Sequence, residues 1–170
     1  MAIKAKPIIS EEIYLQDLSE EVKELEGDCP RDEQAWVMIR QATEADNLRH
    51  EREISTVELT HEGGVTKETR YSSISNDRAF EIYLTLHDAG NITGADGQPL
   101  FEFKDTGPYN RVKGTFDKFK DDYGLLPGDV TRAMCKAVYL INPKWDWLGI
   151  AHKEREEREN PTKDTSKSSK

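Results

Sequence analysis

Cysteine is scarce in this 170-residue chain: Cys29 and Cys135 are the only two. That excludes a disulfide-dense scaffold and an all-cysteine zinc or iron–sulfur site. Apolar runs are short as well. None approaches the length that crosses a bilayer, so no membrane span is expected. The opening MAIKAKPIISEEIYL lacks the apolar stretch of a secretory signal, and the expectation is a soluble intracellular protein. Positive charge is in deficit: 24 Lys and Arg face 33 Asp and Glu, for a formal charge of −9. Phosphate is repelled overall, so a uniformly basic nucleic-acid surface is disfavoured, while a local basic patch stays compatible. Hydrophobic residues make up only 35%, which implies a modest core in one domain with extensions.

Catalytic signatures are missing too. His50-Glu51 and His61-Glu62 begin like HExxH, but neither supplies the second histidine at helical spacing. Neither His87 nor His152 begins such a motif. TGADG lacks the recurring oxygen ligands of an EF-hand, and no P-loop, dinucleotide fingerprint or GxSxG elbow occurs. Asp77, Asp88, Asp96, Asp105, Asp121 and Asp122 read as acidic surface, since only convergence in space would make a metal site of them. Cys135 lies in an amphipathic run and reads as a packed thiol. Cys29 sits in an acidic turn that disfavours its thiolate. No catalytic residue, cofactor or metal ligand is assigned.

What is present is a lopsided charge pattern. Residues 1–60 hold 15 acidic and 7 basic side chains, residues 61–150 hold 13 and 11, and residues 151–170 hold 5 and 6. The division that follows is an acidic N-terminal arm with a short helix over 1–30, a globular body over 31–150 and a polar charged tail over 151–170. In the arm, KAKPIIS is extended because Pro7 restricts its neighbour. Leu18, Val22 and Leu25 place a helix over QDLSEEVKELEG, with Gly27 to stop it.

WVMIRQA is a short strand or a buried helical turn. TEADNLRHEREI is a helix, with Thr43 as cap, Asp46 as a shortened capping-box acid and Leu48 as its main apolar contact. Arg40, Arg49 and Arg52 are expected in surface or intersubunit ion pairs. Gly63 and Gly64 make a tight turn or mobile loop, and TKETRYSSIS is at best an edge strand. FEIYLTLHDAG fits both periods. Alternation aligns Phe80, Ile82, Leu84 and Leu86, whereas the unbroken length favours a helix capped by Asn76 or Asp77.

The C-terminal half is patterned more strongly. Val112, Phe116, Phe119 and Tyr123 predict one amphipathic helix through NRVKGTFDKFKDDYG, closed by Gly124. Val130, Ala133, Met134, Ala137, Val138 and Ile141 predict a second, begun near Pro127 and stopped by Pro143. The two read as a helical hairpin. The phenylalanines of KGTFDKFK follow core spacing, so Lys113, Lys118 and Lys120 are read as solvated neighbours of that stripe and not as a base-stacking patch. KWDWLGI then covers an open edge of the hairpin or enters a partner. From residue 152 on the sequence is charged and polar, and its last ten residues are expected to be disordered.

The fold class expected from these elements is mainly α, with α+β as the alternative: a small helical domain with a C-terminal helical hairpin, an extended N-terminal arm and a disordered tail. WVMIRQATEADNLRHERE, RAFEIYLTLHDAGNITGADGQPLF and AVYLINPKWDW, in that order, resemble the small tail-assembly proteins of long-tailed bacteriophages. The matching pieces are Ile39-Arg40-Gln41, the charged helix through Arg49 and Arg52, Leu100-Phe101, and Asn142-Pro143-Lys144-Trp145, all between Trp36 and Trp147. The resemblance implies a mostly helical, non-enzymatic chaperone of tail assembly. Its implied partners are other phage structural or assembly proteins, the tape-measure or tail-tube protein among them. It would act in the host cytoplasm during assembly, with the virion as a second location.

Trp36, Phe101, Tyr109, Trp145 and Trp147 are the candidate partner-binding residues, because aromatics often dominate interface energy. A homo-oligomer is compatible, and neither membrane attachment nor direct nucleic-acid binding is expected. Two alternatives remain open: a permanent capsid, connector or tail component, and a small regulatory or nucleic-acid-associated module.

Overall fold

The computed structural model describes residues 2–54, 56–71 and 74–151. The first element is a strand, β1 (Ser10–Tyr14), followed by a 3-10 turn and α1 (Glu20–Glu26). Ser19 begins α1 in the way its chemistry predicts, its hydroxyl accepting from the Val22 amide at 3.3 Å. Gly27 ends it at φ +69°, in the left-handed region. Leu15 and Val22 are buried in the core. The segment expected as a loose acidic arm is therefore built into the body from Ser10 onward.

β1 pairs antiparallel with β2 (Trp36–Arg40), and β2 pairs antiparallel with β5 (Leu86–Gly90), giving a three-stranded sheet in the order β1-β2-β5. Val37 and Ile39 alternate inward on β2, as period two requires. The register shifts between Met38 and Ile39. α2 (Glu44–Ile54) follows directly and is held by a reciprocal cap. The Asp46 amide donates to the Thr43 hydroxyl at 3.2 Å, and the Thr43 amide donates to the Asp46 carboxylate at 2.9 Å. Leu48, expected as the main apolar contact of this helix, is 56% exposed; Asp46 occupies the buried face instead.

β3 (Thr56–Glu62) and β4 (Val65–Tyr71) form a hairpin in full register from Thr56↔Tyr71 to Glu62↔Val65. Gly63 and Gly64 both take positive φ, +59° and +77°, as a two-residue turn between right-twisted strands demands. α3 (Ile74–Thr85) then runs into β5 with no intervening loop. FEIYLTLHDAG divides, helical as far as Thr85 and extended from Leu86, so the alternating Phe80, Ile82 and Leu84 lie in the helix and only Leu86 in the strand. Phe80, Ile82, Leu84 and Leu86 are all buried.

β6 (Phe103–Asp105) and β7 (Asn110–Val112) make a second short hairpin. The helix expected through NRVKGTFDKFKDDYG thus starts late. Gly114 at φ +97° turns the chain, and Thr115 caps α4 (Phe116–Tyr123) by accepting from the Lys118 amide at 3.3 Å. α5 (Gly128–Ile141) carries the buried stripe Ala133, Met134, Ala137 and Val138. It packs on β2, on α1 and on α3; α4 also packs chiefly on α3. The two C-terminal helices are therefore consecutive but do not form a hairpin packed on itself, because α3 serves both of them.

The expectation of a mainly α protein is overturned. Among the described residues, five α-helices accompany seven strands in three small sheets, an arrangement compatible with α+β. β1 and β5 were hidden because their partner β2 lies far from them in sequence, and the β3–β4 hairpin because its strands are polar. No helix among the described residues is long and apolar enough to cross a membrane. His152 and the polar tail beyond it lie outside the described residues.

Candidate functional site

Pro143 cannot continue α5, and the chain leaves the helix through a 3-10 turn, Pro143–Trp145. Asn142 holds this exit. Its side-chain oxygen accepts from the Ala42 amide at 2.7 Å, and its amide donates to the Arg40 carbonyl at 3.1 Å. The turn is thereby pinned to the end of β2. Asp146 anchors the turn that follows, its two carboxylate oxygens accepting from the amides of Ile150 and Ala151 at 2.8 and 3.0 Å.

This placement drives Trp145 against α2. Its indole N–H donates to the Asn47 side chain at 3.1 Å, and its ring stacks on His50, one helical turn further on, with centroids 4.4 Å apart and planes 4° apart. The His50 Nε2 meets Glu81 Oε1 of α3 at 2.8 Å. Glu81 is 3% exposed, and its Oε2 has no hydrogen-bond partner among the described residues. Asp77 and Arg78 share that side of α3 at spacings of four and three from Glu81. Together with Tyr139 of α5 they border an open cleft of about 210 Å³ that Trp147 and Leu148 also line.

The ionisable groups here are shaped by burial. Loss of water pushes the Tyr139 phenol upward, and the neighbouring Cys135 and Glu81 add to the effect. Burial likewise raises the Cys135 thiol to about 11, against a hydrogen bond with Tyr139 that works the other way. Neither group supplies an anionic nucleophile near neutral pH. Among the described residues, no three His, Cys, Asp or Glu side chains are set to hold one metal ion.

Of the five aromatic candidates, the fold brings two to this cleft. Both line it, Trp145 as a buried side chain and Trp147 as one 76% exposed. The other three lie elsewhere. Trp36 is half-buried on β2 with its indole across Gly90. Phe101 is a core residue stacked on Phe119 at 5.3 Å, beside a separate cleft of about 180 Å³. Tyr109 is half-buried rather than free: the Arg40 guanidinium lies 3.9 Å from its ring centroid, and Arg111 donates to its hydroxyl at 2.6 Å.

Arg40 itself is fully buried and paired with Asp46 at 2.6 Å, which corrects its expected place in a surface or intersubunit ion pair. Sequence reasoning passed over Glu81 and dismissed His50 as an incomplete metalloprotease motif. The available signal was an acid set inside the apolar run Ala79-Phe80-Glu81-Ile82, where a charged side chain must find a buried partner. No protein-family model, curated protein or solved structure matches the chain.

Proposed function

We propose that this chain is a non-enzymatic binding protein of bacteriophage tail assembly, and that it holds another virion protein at the cleft beside Trp145 and Trp147. The observation that carries the docking reading is Trp147, a large aromatic 76% exposed in the lining of a cleft that also holds the buried Trp145. Exposed aromatics next to a formed recess are the usual anchors of protein interfaces. The volume supports a side chain over a cofactor. About 210 Å³ falls short of the ~300–1,000 Å³ typical of small-molecule sites, yet exceeds the ~150 Å³ in which one benzene-sized group fits.

The raised Cys135 and Tyr139 weigh against covalent catalysis at the same place. The tail-assembly setting rests on the resemblance of the three segments between Trp36 and Trp147. The acidic balance suits a factor that must stay soluble while it shields apolar parts of a long partner.

Co-expression of the tagged full-length chain with the tape-measure and tail-tube subunits of the same phage tests this. A complex with one of them is expected, and it should weaken in Trp147→Ala. Failure to capture either subunit, together with normal tails after deletion of the gene, overturns the proposal.

A further inference from the structure

We infer that the outer edge of β1 is a pairing surface for a second copy of this chain, the two copies joined antiparallel through residues 3–13. None of these residues lines the cleft beside Trp147, so the inference stands apart from the docking reading. The first support is an open edge. β1 is the outermost strand of its sheet. The Gln41 amide donates to the Ile9 carbonyl at 2.8 Å and the Leu15 amide donates to the Ala35 carbonyl at 3.0 Å, so odd-numbered positions turn their backbone groups toward β2. Ser10, Glu12 and Tyr14 therefore turn theirs outward, where the described residues supply no further strand. Such an edge is a template for another strand.

The second support is the arm that leads into β1. Residues 2–9 belong to no helix, turn or strand, and all but the half-buried Ile8 are exposed. In β1, Glu11 and Ile13 lie opposite the buried Ile39 and Val37 and share their face of the sheet. Carried back along an extended arm, alternation gives Ile9, Pro7, Ala5 and Ile3 that same face. The stripe is apolar except at Glu11, and Ile3 at its start is fully exposed. Pro7 falls at an odd position, where its missing N–H leaves no outward bond unmade.

The third support is the order of charges, which is complementary to itself when reversed. Lys4 and Lys6 come first, Glu11 and Glu12 last. Among the described residues none of the four belongs to an ion pair. Glu12 does approach the Tyr14 phenol on its own strand. With Ile8 on a two-fold axis, Lys4 lies opposite the second copy's Glu12, Lys6 lies diagonal to it, and Ile3 covers the second copy's Ile13. Even positions from Lys4 to Glu12 then exchange about ten backbone hydrogen bonds. The pairing stops short of Tyr14, whose ring already carries the Arg31 guanidinium at 3.5 Å. A formal charge of −9 sets whole copies against each other, but the first ten residues hold two lysines and no acid, so each arm brings positive charge to an acidic neighbour.

Sedimentation equilibrium of the full-length chain, in a concentration series up to ~100 µM, tests this. A monomer–dimer equilibrium is expected. Lys4→Glu and Glu12→Lys should each raise the dissociation constant about tenfold or more, and the two together should return it to within about threefold of the parent. Ser10→Pro deletes an outward N–H twice per dimer and should abolish association, whereas Ala5→Pro, at an inward position, should preserve it. Measured at a concentration where both are monomeric, parent and Ser10→Pro should share one urea midpoint, since Ser10 turns no backbone group toward β2. The charge exchange keeps the test decisive if Ser10→Pro does not fold.

A chain that stays monomeric over this range overturns the inference. So does a dimer indifferent to both charge reversals, which would lie on another face. A dimer weakened by each reversal but not restored by the pair overturns it too. Equal loss of association in Ala5→Pro and Ser10→Pro overturns the antiparallel register.

Discussion

Arg40 and Asp46 form an ion pair 2.6 Å long with both side chains fully shut off from water. The pair joins the end of β2 to the first turn of α2. Asp46 also accepts from the Thr43 amide and hydroxyl and from Arg111, while Arg40 donates to the carbonyls of Gln41 and Leu84. Removing one partner strands the other as a buried charge. Asp46→Asn should cost about 3–5 kcal/mol, read as a lower urea midpoint with an unchanged slope.

The same carboxyl sets an acid limit on stability. Burial alone would push Asp46 up, but the hydrogen bonds from Arg40 and Thr43 and the charge of Arg40 outweigh it and hold the group below the usual carboxylate range. A depressed carboxyl stabilises the fold above its unfolded value, near ~4, and that contribution is lost as pH falls through the lower folded value. Urea melts at stepped pH should show this loss below about pH 4, and Asp46→Asn should flatten it. A variant with the same acid limb as the parent would count against the assignment.

Gly90 lies opposite Trp36, and a Cβ there would run into the indole ring at its nitrogen. Gly90→Ala should displace the ring and cost about 1–3 kcal/mol, the usual penalty of overpacking. Pairing it with Trp36→Leu should recover most of that loss. Thermal melts of the two single variants and the double variant measure the coupling.

Trp145 and Trp147 stand two residues apart with opposite roles in stability. Trp145→Ala removes a buried ring, its bond to Asn47 and its stack on His50, and should cost about 3–5 kcal/mol. Trp147→Ala alters an exposed position and should stay within ~0.5 kcal/mol. Chemical denaturation separates them, and comparable losses would contradict the division.

The two cysteines should react unequally. Cys135 is buried, with its thiol raised to about 11, whereas Cys29 is half-buried near the surface. At neutral pH a thiol-specific reagent should label Cys29 in the folded protein and Cys135 only on unfolding. Mass spectrometry of the labelled peptides gives the answer, and rapid labelling at Cys135 in native buffer would contradict its packing.

Helix ends were the most legible part of the fold, because they are written in local chemistry. Thr43 with Asp46, Gly27 after α1 and Pro143 after α5 each act within about one turn. The amphipathic stripe of α5 was equally plain. Legibility failed where a residue's state depends on a distant partner. Leu25 and Leu48 have the right spacing for a core, yet among the described residues both stay exposed. Val112 shares a stripe with Phe116 and Phe119, but pairs with Phe103 in a strand. The cleft was half visible: its tryptophans stand out by type, while His50 and Glu81 are ordinary until α2 and α3 bring them together across 31 residues.

By itself, the order of amino acids determined the cap of α2, the ends of α1 and α5, the location of the strongest apolar stripe and the acidic character of the chain, since each depends on neighbours within a few bonds or on simple counting. Tertiary structure alone decided that polar SEEIY becomes an edge strand, that Arg40 is sealed inside with Asp46, and that Trp145, His50 and Glu81 meet in the lining of a cleft. The physical reason is the same in each case. A strand edge, a buried charge and a stacked ring are stabilised by groups remote along the chain, and only folding makes them neighbours.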